Sequence, residues 1–303
     1  MKIFIAVAKI VVITAILVWA FLKFDLDTAR RTIQASDLYS AVLAIVLCGL
    51  AYYFTALRWG MIIRGFWPKQ KISSFKLFWF NILSAFYGLF IPTSVAAEAV
   101  RVIKLGKETK KDYSRSTITV ALDRILGMII WGLIFLFSPS PIKRSNAWFL
   151  LFAVIPLLYL FRNKLNLWGH KVFDFSRHHP ADIVKSVIFS VIGQFLFVAS
   201  YFFIFRCFGI SIPPKESIGI VATATMAGIV PISWLGVGLR EASYLGMLPL
   251  YGASATQSLL AVSFIVFLTY FFGIAAGILE LAHTGWHISK LKMPLKQTDT
   301  ANE

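Results

Sequence analysis

The chain has 303 residues, of which 58% are hydrophobic and only 15% charged, and its mean hydropathy is +0.75. An ordinary soluble domain, about a quarter charged, is excluded. There is room instead for about six to eight membrane spans joined by short loops. The formal charge of +16 could suggest nucleic acid. The excess sits in short loops between apolar runs, as the positive-inside rule requires, and no nucleic-acid motif accompanies it. Cys48 and Cys207 lie in or beside apolar runs and form neither a disulfide framework nor a CxxC site.

In chain order, the first apolar run is 4–22. It lacks a small-x-small cleavage site before Lys23 and is read as a retained span. Further spans are expected at 38–57, 117–138, 147–161, 185–206 and 256–282. The 147–161 run is short, about 22 Å as a helix. Residues 289–303 form a polar tail.

Two other apolar regions, 75–105 and 217–250, carry a repeated break. The first has Gly88 and Pro92, then Thr93, Ser94, Glu98 and Arg101. The second has Gly228 and Pro231, then Ser233, Gly236, Gly238, Arg240 and Glu241. Bare backbone and charge are costly at membrane depth. Paired interruptions in two halves of a membrane protein point to a transport site.

Charge sets the expected topology. If 75–105 and 217–250 each enter and leave on one side, twenty of the 30 Lys and Arg collect on one face and seven on the other. The basic face is expected to be cytoplasmic, with both termini on it. The basic loops 57–76, which includes Arg58, and 101–116 then share that face. The fold expected is an all-α integral membrane protein with six transmembrane helices plus two re-entrant helical hairpins. Residues 1–288 form one polytopic domain. Repeat 1 (about 1–138) and repeat 2 (about 147–282) each cross three times and are therefore inverted.

Three acid–base couples fall within or beside the apolar runs: Glu98 with Arg101, Asp123 with Arg124, and Arg240 with Glu241. Glu98 and Arg101, at i and i+3, share a helix face. The adjacent members of the other two couples are expected to pair elsewhere. Either these charges are internal ion pairs or an Arg among them offers donors to an anionic headgroup; the two roles are compatible. The stretches after Pro92 and Pro231 are read as half-helix N-termini with Thr93, Ser94 and Ser233 near the cap, suited to phosphate or carboxylate. Gly236 and Gly238 would let a ligand approach the backbone. Gly88, Pro92, Gly228 and Pro231 would supply flexible breaks. Asn81 and Gln194 are polar groups within apolar helices, suited to interhelical hydrogen bonds, and Asn81 is also a candidate binding residue. Glu280, His283 and His287 have helical spacing near a span end, but the two histidines read as an interfacial pair facing headgroups rather than as metal ligands. No nucleophile–base–orienter set and no P-loop is present. Neither an enzyme nor an ATP-driven pump is expected, and no metal or cofactor.

The motifs resemble the lysylphosphatidylglycerol synthase transmembrane-region family, also called the flippase-like domain family. The matching pieces are Leu57-Arg58-Trp59, Asn81, Pro92 with Glu98 and Arg101, Asp123-Arg124 with Gly127, and Pro231 through Ser233, Gly236, Gly238, Arg240 and Glu241. The first hairpin departs from the family pattern: Ala96 and Ala97 precede Glu98, where the family usually has glycines before an acidic residue, often Asp. The resemblance implies a lipid-translocating domain of the cell (inner) membrane. Its cargo would be an aminoacylated phospholipid, a lipid-linked sugar or a hopanoid-type lipid. The chain ends about twenty residues after its last span, so a stand-alone member without the soluble aminoacyl-transferase domain is expected. The leading expectation is a flippase for an amphiphilic lipid with a phosphorylated headgroup. Its headgroup would be held by Arg101, Arg124 and Arg240, with Glu98, Asp123 and Glu241 positioning them. The alternatives are a non-transporting membrane subunit that recruits or regulates a glycosyltransferase or lipid-modifying enzyme, and an integral-membrane lipid enzyme.

Overall fold

The computed structural model describes residues 26–90, 94–139, 180–229, 233–234 and 237–284. The expected spans 4–22 and 147–161 lie outside the described residues, as do Pro92, Thr93, Pro231, Gly236 and His287. Among the described residues the regular structure is helical, apart from a ladder of two two-residue strands. The helices are α1 (Leu26–Gln34), α2 (Leu38–Phe66), α3 (Ser74–Phe90), α4 (Ser94–Glu108), α5 (Tyr113–Phe137), α6 (Pro180–Cys207), α7 (Pro214–Ala227), α8 (Leu239–Met247) and α9 (Ala255–Thr284). Four are long and apolar enough to cross a membrane: α2, α5, α6 and Ala255–Ala282 of α9. They correspond to the expected spans at 38–57, 117–138, 185–206 and 256–282, with longer ends.

Helices α2 and α6 form the central pair. They run antiparallel: Ser186 lies against the Arg58 carbonyl, Gly193 against Ala51 and Phe54, and Ser200 donates to the Ala44 carbonyl at 2.8 Å. The seam is lined by small buried residues, Ala44, Cys48 and Ala51 on α2 and Ser186, Ser190, Gly193 and Ser200 on α6. Small residues let helix backbones approach closely where lipid supplies no hydrophobic drive.

The contacts sort the chain into two ends. At one end, the Asp37 N–H donates to the Cys207 carbonyl at 3.2 Å, and the Tyr251 hydroxyl donates to Glu216 at 3.1 Å. The start of α2, the end of α6, the start of α7 and the exit of α8 therefore meet there. At the other end, the Gln70 amide donates to the Glu108 carbonyl and Lys76 pairs with Glu108 at 2.6 Å. Lys104, near the end of α4, pairs with Glu280, near the end of α9. Thus α3 and α4 enter and leave at one end, and α7 and α8 at the opposite end.

The packing partners are exchanged in the same sense. Helix α3 packs on α9, and α7 packs on α5. The α3–α9 contact is set by Gly273 and Gly277, a GxxxG pair. A β-carbon at Gly273 would lie 2.9 Å from the Phe86 nitrogen, and one at Gly277 would meet the Phe86 ring. The α5–α7 contact is apolar, with Phe135, Ala222 and Met226 at its centre.

Several expectations are corrected. Residue 58 is not a loop residue: α2 continues to Phe66 and buries Arg58, because apolar residues resume at Gly60–Ile63. The second break does not start a helix at Ser233. Residues 233–238 bracket a ladder pairing Ser233 with Gly238 and Trp234 with Val237, and the helix begins at Leu239. The expected break at Gly228 also lies at a close approach. Gly228 has a helical φ of −68°, and a β-carbon there would meet Cβ of Arg240 at 3.1 Å, so the glycine lets the return helix cross closely. At Gly88 the neighbour would be Cβ of Ala97, at an ordinary contact distance of 3.4 Å. Lastly, α1 is a short helix between the first two apolar runs, where none is marked in the sequence reading.

Candidate functional site

The Asp123 carboxylate is the hub of the first cluster. It sits near the middle of α5 with its side chain 1% exposed, and it accepts from two helices. Arg58 Nε on α2 donates to Oδ1 at 2.7 Å, and Arg101 Nη2 on α4 donates to Oδ2 at 2.8 Å. Each carboxylate oxygen therefore holds one guanidinium. Arg58 Nη1 also donates to Ser190 on α6 at 3.1 Å. Gln194 Nε2 donates to the Gly127 carbonyl at 2.9 Å, tying α6 to α5. Gly127 leaves the space Arg58 occupies, since a β-carbon would lie 2.9 Å from Arg58 Nη1. The Arg101 guanidinium lies 4.1 Å over the Trp59 ring. Its Nη1 donates to Glu98 at 3.1 Å, the i, i+3 pair on α4. The Glu98 carboxylate also pairs with Arg124.

Five charges thus form one chain, Arg58–Asp123–Arg101–Glu98–Arg124. Three guanidiniums against two carboxylates leave one positive charge in excess. The chain is graded from inside to outside: the Arg101 side chain is 2% exposed and that of Arg124 is 53%. A net charge at membrane depth must face a cavity, a partner or a ligand. Arg124 is the member so placed.

The second cluster opens α8. Gly238 donates its N–H to Glu241 Oε2 at 2.9 Å, so Glu241 caps the helix. Arg240 donates through Nε at 2.7 Å and Nη2 at 2.6 Å to Oε1 of the same carboxylate. Arg240 and Glu241 therefore pair with each other, contrary to the expectation that adjacent residues would not. The cap pulls Glu241 back toward the helix start, and the long Arg240 side chain curls to meet it. Asp123 and Arg124, by contrast, do pair elsewhere. Glu241 is buried, whereas 28% of the Arg240 side chain is exposed.

Aromatic rings link the helix of the second cluster to α2. Tyr244 on α8 meets Tyr201 on α6 edge-on at 5.9 Å, and Tyr201 meets Phe197 at 6.5 Å. Tyr52 in turn stacks edge-on with Phe197 and Phe272. The result is an aromatic wall running from α8 across α6 to Tyr52, midway along α2. Every helix of both hairpins except α3 contributes or adjoins a charged member.

Other candidates fall elsewhere. Asn81 is buried, its carbonyl accepts from Ser84, and its Nδ2 has no partner among the described residues. Ser94 opens α4 and Ser233 lies in the ladder; their side chains are outside the described ones. Glu280 accepts from the Trp79 indole at 3.1 Å and pairs with Lys104, fastening α9 to α3 and α4. Among the described residues no group of three or more His, Cys, Asp or Glu could hold a metal ion. Arg58 is the residue the sequence reading underrated, and a lone Arg followed by renewed apolar sequence was the available signal.

The lysylphosphatidylglycerol synthase TM region model matches residues 6–277 of the 303. The chain belongs to that family. No curated protein and no solved structure matches it. Membership of the lysylphosphatidylglycerol synthase TM region family, with four helices able to cross a membrane among the described residues, makes this a multi-pass membrane protein with a lipid-related role.

Proposed function

We propose that the chain is a lipid flippase, which carries the phosphorylated headgroup of an amphiphilic lipid between leaflets through the region bounded by Tyr52, Arg124 and Arg240. The observation that carries this is the single excess positive charge of the five-residue chain, ending on a half-exposed Arg124. A phosphate monoanion would complete that charge balance. Arginine suits it, since its fork can keep a carboxylate and still offer donors. Arg58, Arg101 and Asp123 then position Arg124 through Glu98, and Glu241 positions Arg240.

The arrangement also supports six spans and two re-entrant hairpins in an inverted repeat. The hairpins enter from opposite ends of the molecule, and the α3–α9 and α7–α5 contacts exchange as a two-fold axis in the membrane plane requires. Lys69, Lys71, Lys76, Lys104, Lys107, Lys110, Lys111 and Arg115 cluster at the α3–α4 end, which is the cytoplasmic end by the positive-inside rule.

The test uses purified protein in liposomes with a fluorescent phosphatidylglycerol and a membrane-impermeant quencher. Arg124→Gln and Arg240→Gln should each slow movement about tenfold or more, the worth of a hydrogen bond to a charged group, while the protein still folds. Unchanged rates in both would sink the headgroup role. Movement no faster than in empty liposomes, for the parent chain, would favour the non-transporting subunit that serves a lipid enzyme.

A further inference from the structure

A second recess lies at the α3–α4 end, away from the charged clusters. It measures about 430 Å³ and is lined by the first turns of α3, the last turns of α4 and Glu280 of α9. Its basic members are Lys76, Lys104 and Lys107, and its acidic members are Glu108 and Glu280. Lys76 is held by Glu108 and Lys104 by Glu280. Among the described residues Lys107 has no acidic partner and is exposed. Three ammonium groups against two carboxylates leave one positive charge in excess, and Lys107 carries it.

The apolar part of the lining is aromatic. Trp79 and Phe80 form the floor, with the Trp79 indole fixed by its bond to Glu280. Phe75 stands at the rim, 66% exposed, and Leu279, next to Glu280, is 58% exposed. A site for a free ion needs no such rim. An amphiphile does: its headgroup takes the charged recess and its chains lie along Phe75 and the lipid-facing side of α9. Aromatic rings and lysines at a helix end are the groups that meet the headgroup layer.

We propose that this recess binds the phosphate of an anionic glycerophospholipid from the leaflet at that end, with Lys107 as its main charge partner and Phe75 beside the acyl chains. The site is separate from Arg124 and Arg240, so binding there does not depend on transport.

The experiment is a binding titration by native mass spectrometry on the full chain in detergent, with dioleoylphosphatidylglycerol as probe. Dioleoylphosphatidylcholine, which has the same phosphate but no net charge, and inorganic phosphate are the comparison arms. The parent should hold phosphatidylglycerol in preference to phosphatidylcholine. Lys107→Gln should weaken phosphatidylglycerol about fivefold, the worth of one surface lysine near anionic lipid, and leave phosphatidylcholine unchanged. Lys107→Arg should retain the preference. Because Lys107 is exposed, the melting temperature of either variant should match the parent. Equal phosphatidylglycerol binding by parent and Lys107→Gln would overturn the assignment. Displacement of the lipid by millimolar inorganic phosphate would overturn it too, making the recess a free-anion site. The readout is equilibrium binding, so a failed flippase reading would leave it untouched.

Discussion

Replacing Asp123 by Asn tests whether the buried chain of charges holds the helices together. In the parent, each Asp123 oxygen accepts from a different guanidinium, Arg58 at 2.7 Å and Arg101 at 2.8 Å. An amide keeps one acceptor and turns a donor toward the other arginine. It also leaves two buried cations side by side, with only Glu98 near one of them. Removing one partner of a buried ion pair costs about 3–5 kcal/mol, because the remaining charge is left uncompensated. At roughly 2–4 °C per kcal/mol, the melting temperature in detergent should fall by roughly 6–20 °C. Arg124→Gln, at the exposed end of the same chain, should lower it by no more than about 4 °C, as an accessible pair contributes about 0–1 kcal/mol. Adding Arg58→Met to Asp123→Asn removes one stranded cation and should recover part of the loss. Arg101 then keeps Glu98, and the excess charge returns to one. An Asp123→Asn protein that melts with the parent, or a double variant that melts lower than the single, would refute this account.

Two further substitutions address packing and capping. Gly277→Val should detach the first hairpin from α9, because even a β-carbon there meets the Phe86 ring; lower detergent stability with faster proteolysis between α3 and α4 is the expected result, whereas Gly132→Ala, which meets nothing within 4 Å, should leave both unchanged. Asp37 caps α2, and the Ser40 hydroxyl bonded to its carboxylate holds its pKa below the ordinary value. A lowered carboxylate pKa gives stability that is present above the unfolded value and lost as pH falls through the folded one, so an acid titration below about pH 4 should show a small loss in the parent that is missing in Asp37→Asn.

How much was legible in the sequence depended on whether one segment could decide the matter. The four long helices could be read from apolar run length alone, because each must satisfy its own backbone. Glu98 and Arg101 could be paired from their spacing. The partners of Asp123 could not: Arg58 lies 65 positions away on another helix, and only packing brings it there. Its position just after Leu57 made it look like the first residue of a basic loop, although renewed apolar sequence at Gly60–Ile63 argued for a continuing helix. The pairing of Arg240 with Glu241 was hidden for the opposite reason. Side-chain spacing on a regular helix forbids it, but these two residues open a helix, where the Gly238 N–H draws Glu241 back. The contacts of Gly88 and Gly228 were equally hidden, since they depend on Ala97 and Arg240 being placed against them.

The opposed hairpins give the most direct check on the whole arrangement, since it depends on which ends the loops share. Lys69 and Lys110 are both exposed at the end where Gln70 and Lys76 contact Glu108. Arg30 and Lys215 are exposed near the end where Asp37 meets Cys207. If the α3–α4 segment is re-entrant, chain direction forces Lys69 and Lys110 onto one face of the membrane. If α3 crossed the membrane instead, they would lie on opposite faces. The native thiols, Cys48 and Cys207, are both buried, so they should stay silent to an impermeant maleimide. Four single variants, Lys69→Cys, Lys110→Cys, Arg30→Cys and Lys215→Cys, are labelled in intact cells and in inverted vesicles. Lys69→Cys and Lys110→Cys should react only in inverted vesicles, and Arg30→Cys and Lys215→Cys only in intact cells. Should Lys69→Cys and Lys110→Cys react from different sides, α3 would be a full span, the second half would no longer be inverted, and Arg124 and Arg240 would lose the common mid-membrane region on which the transport reading rests.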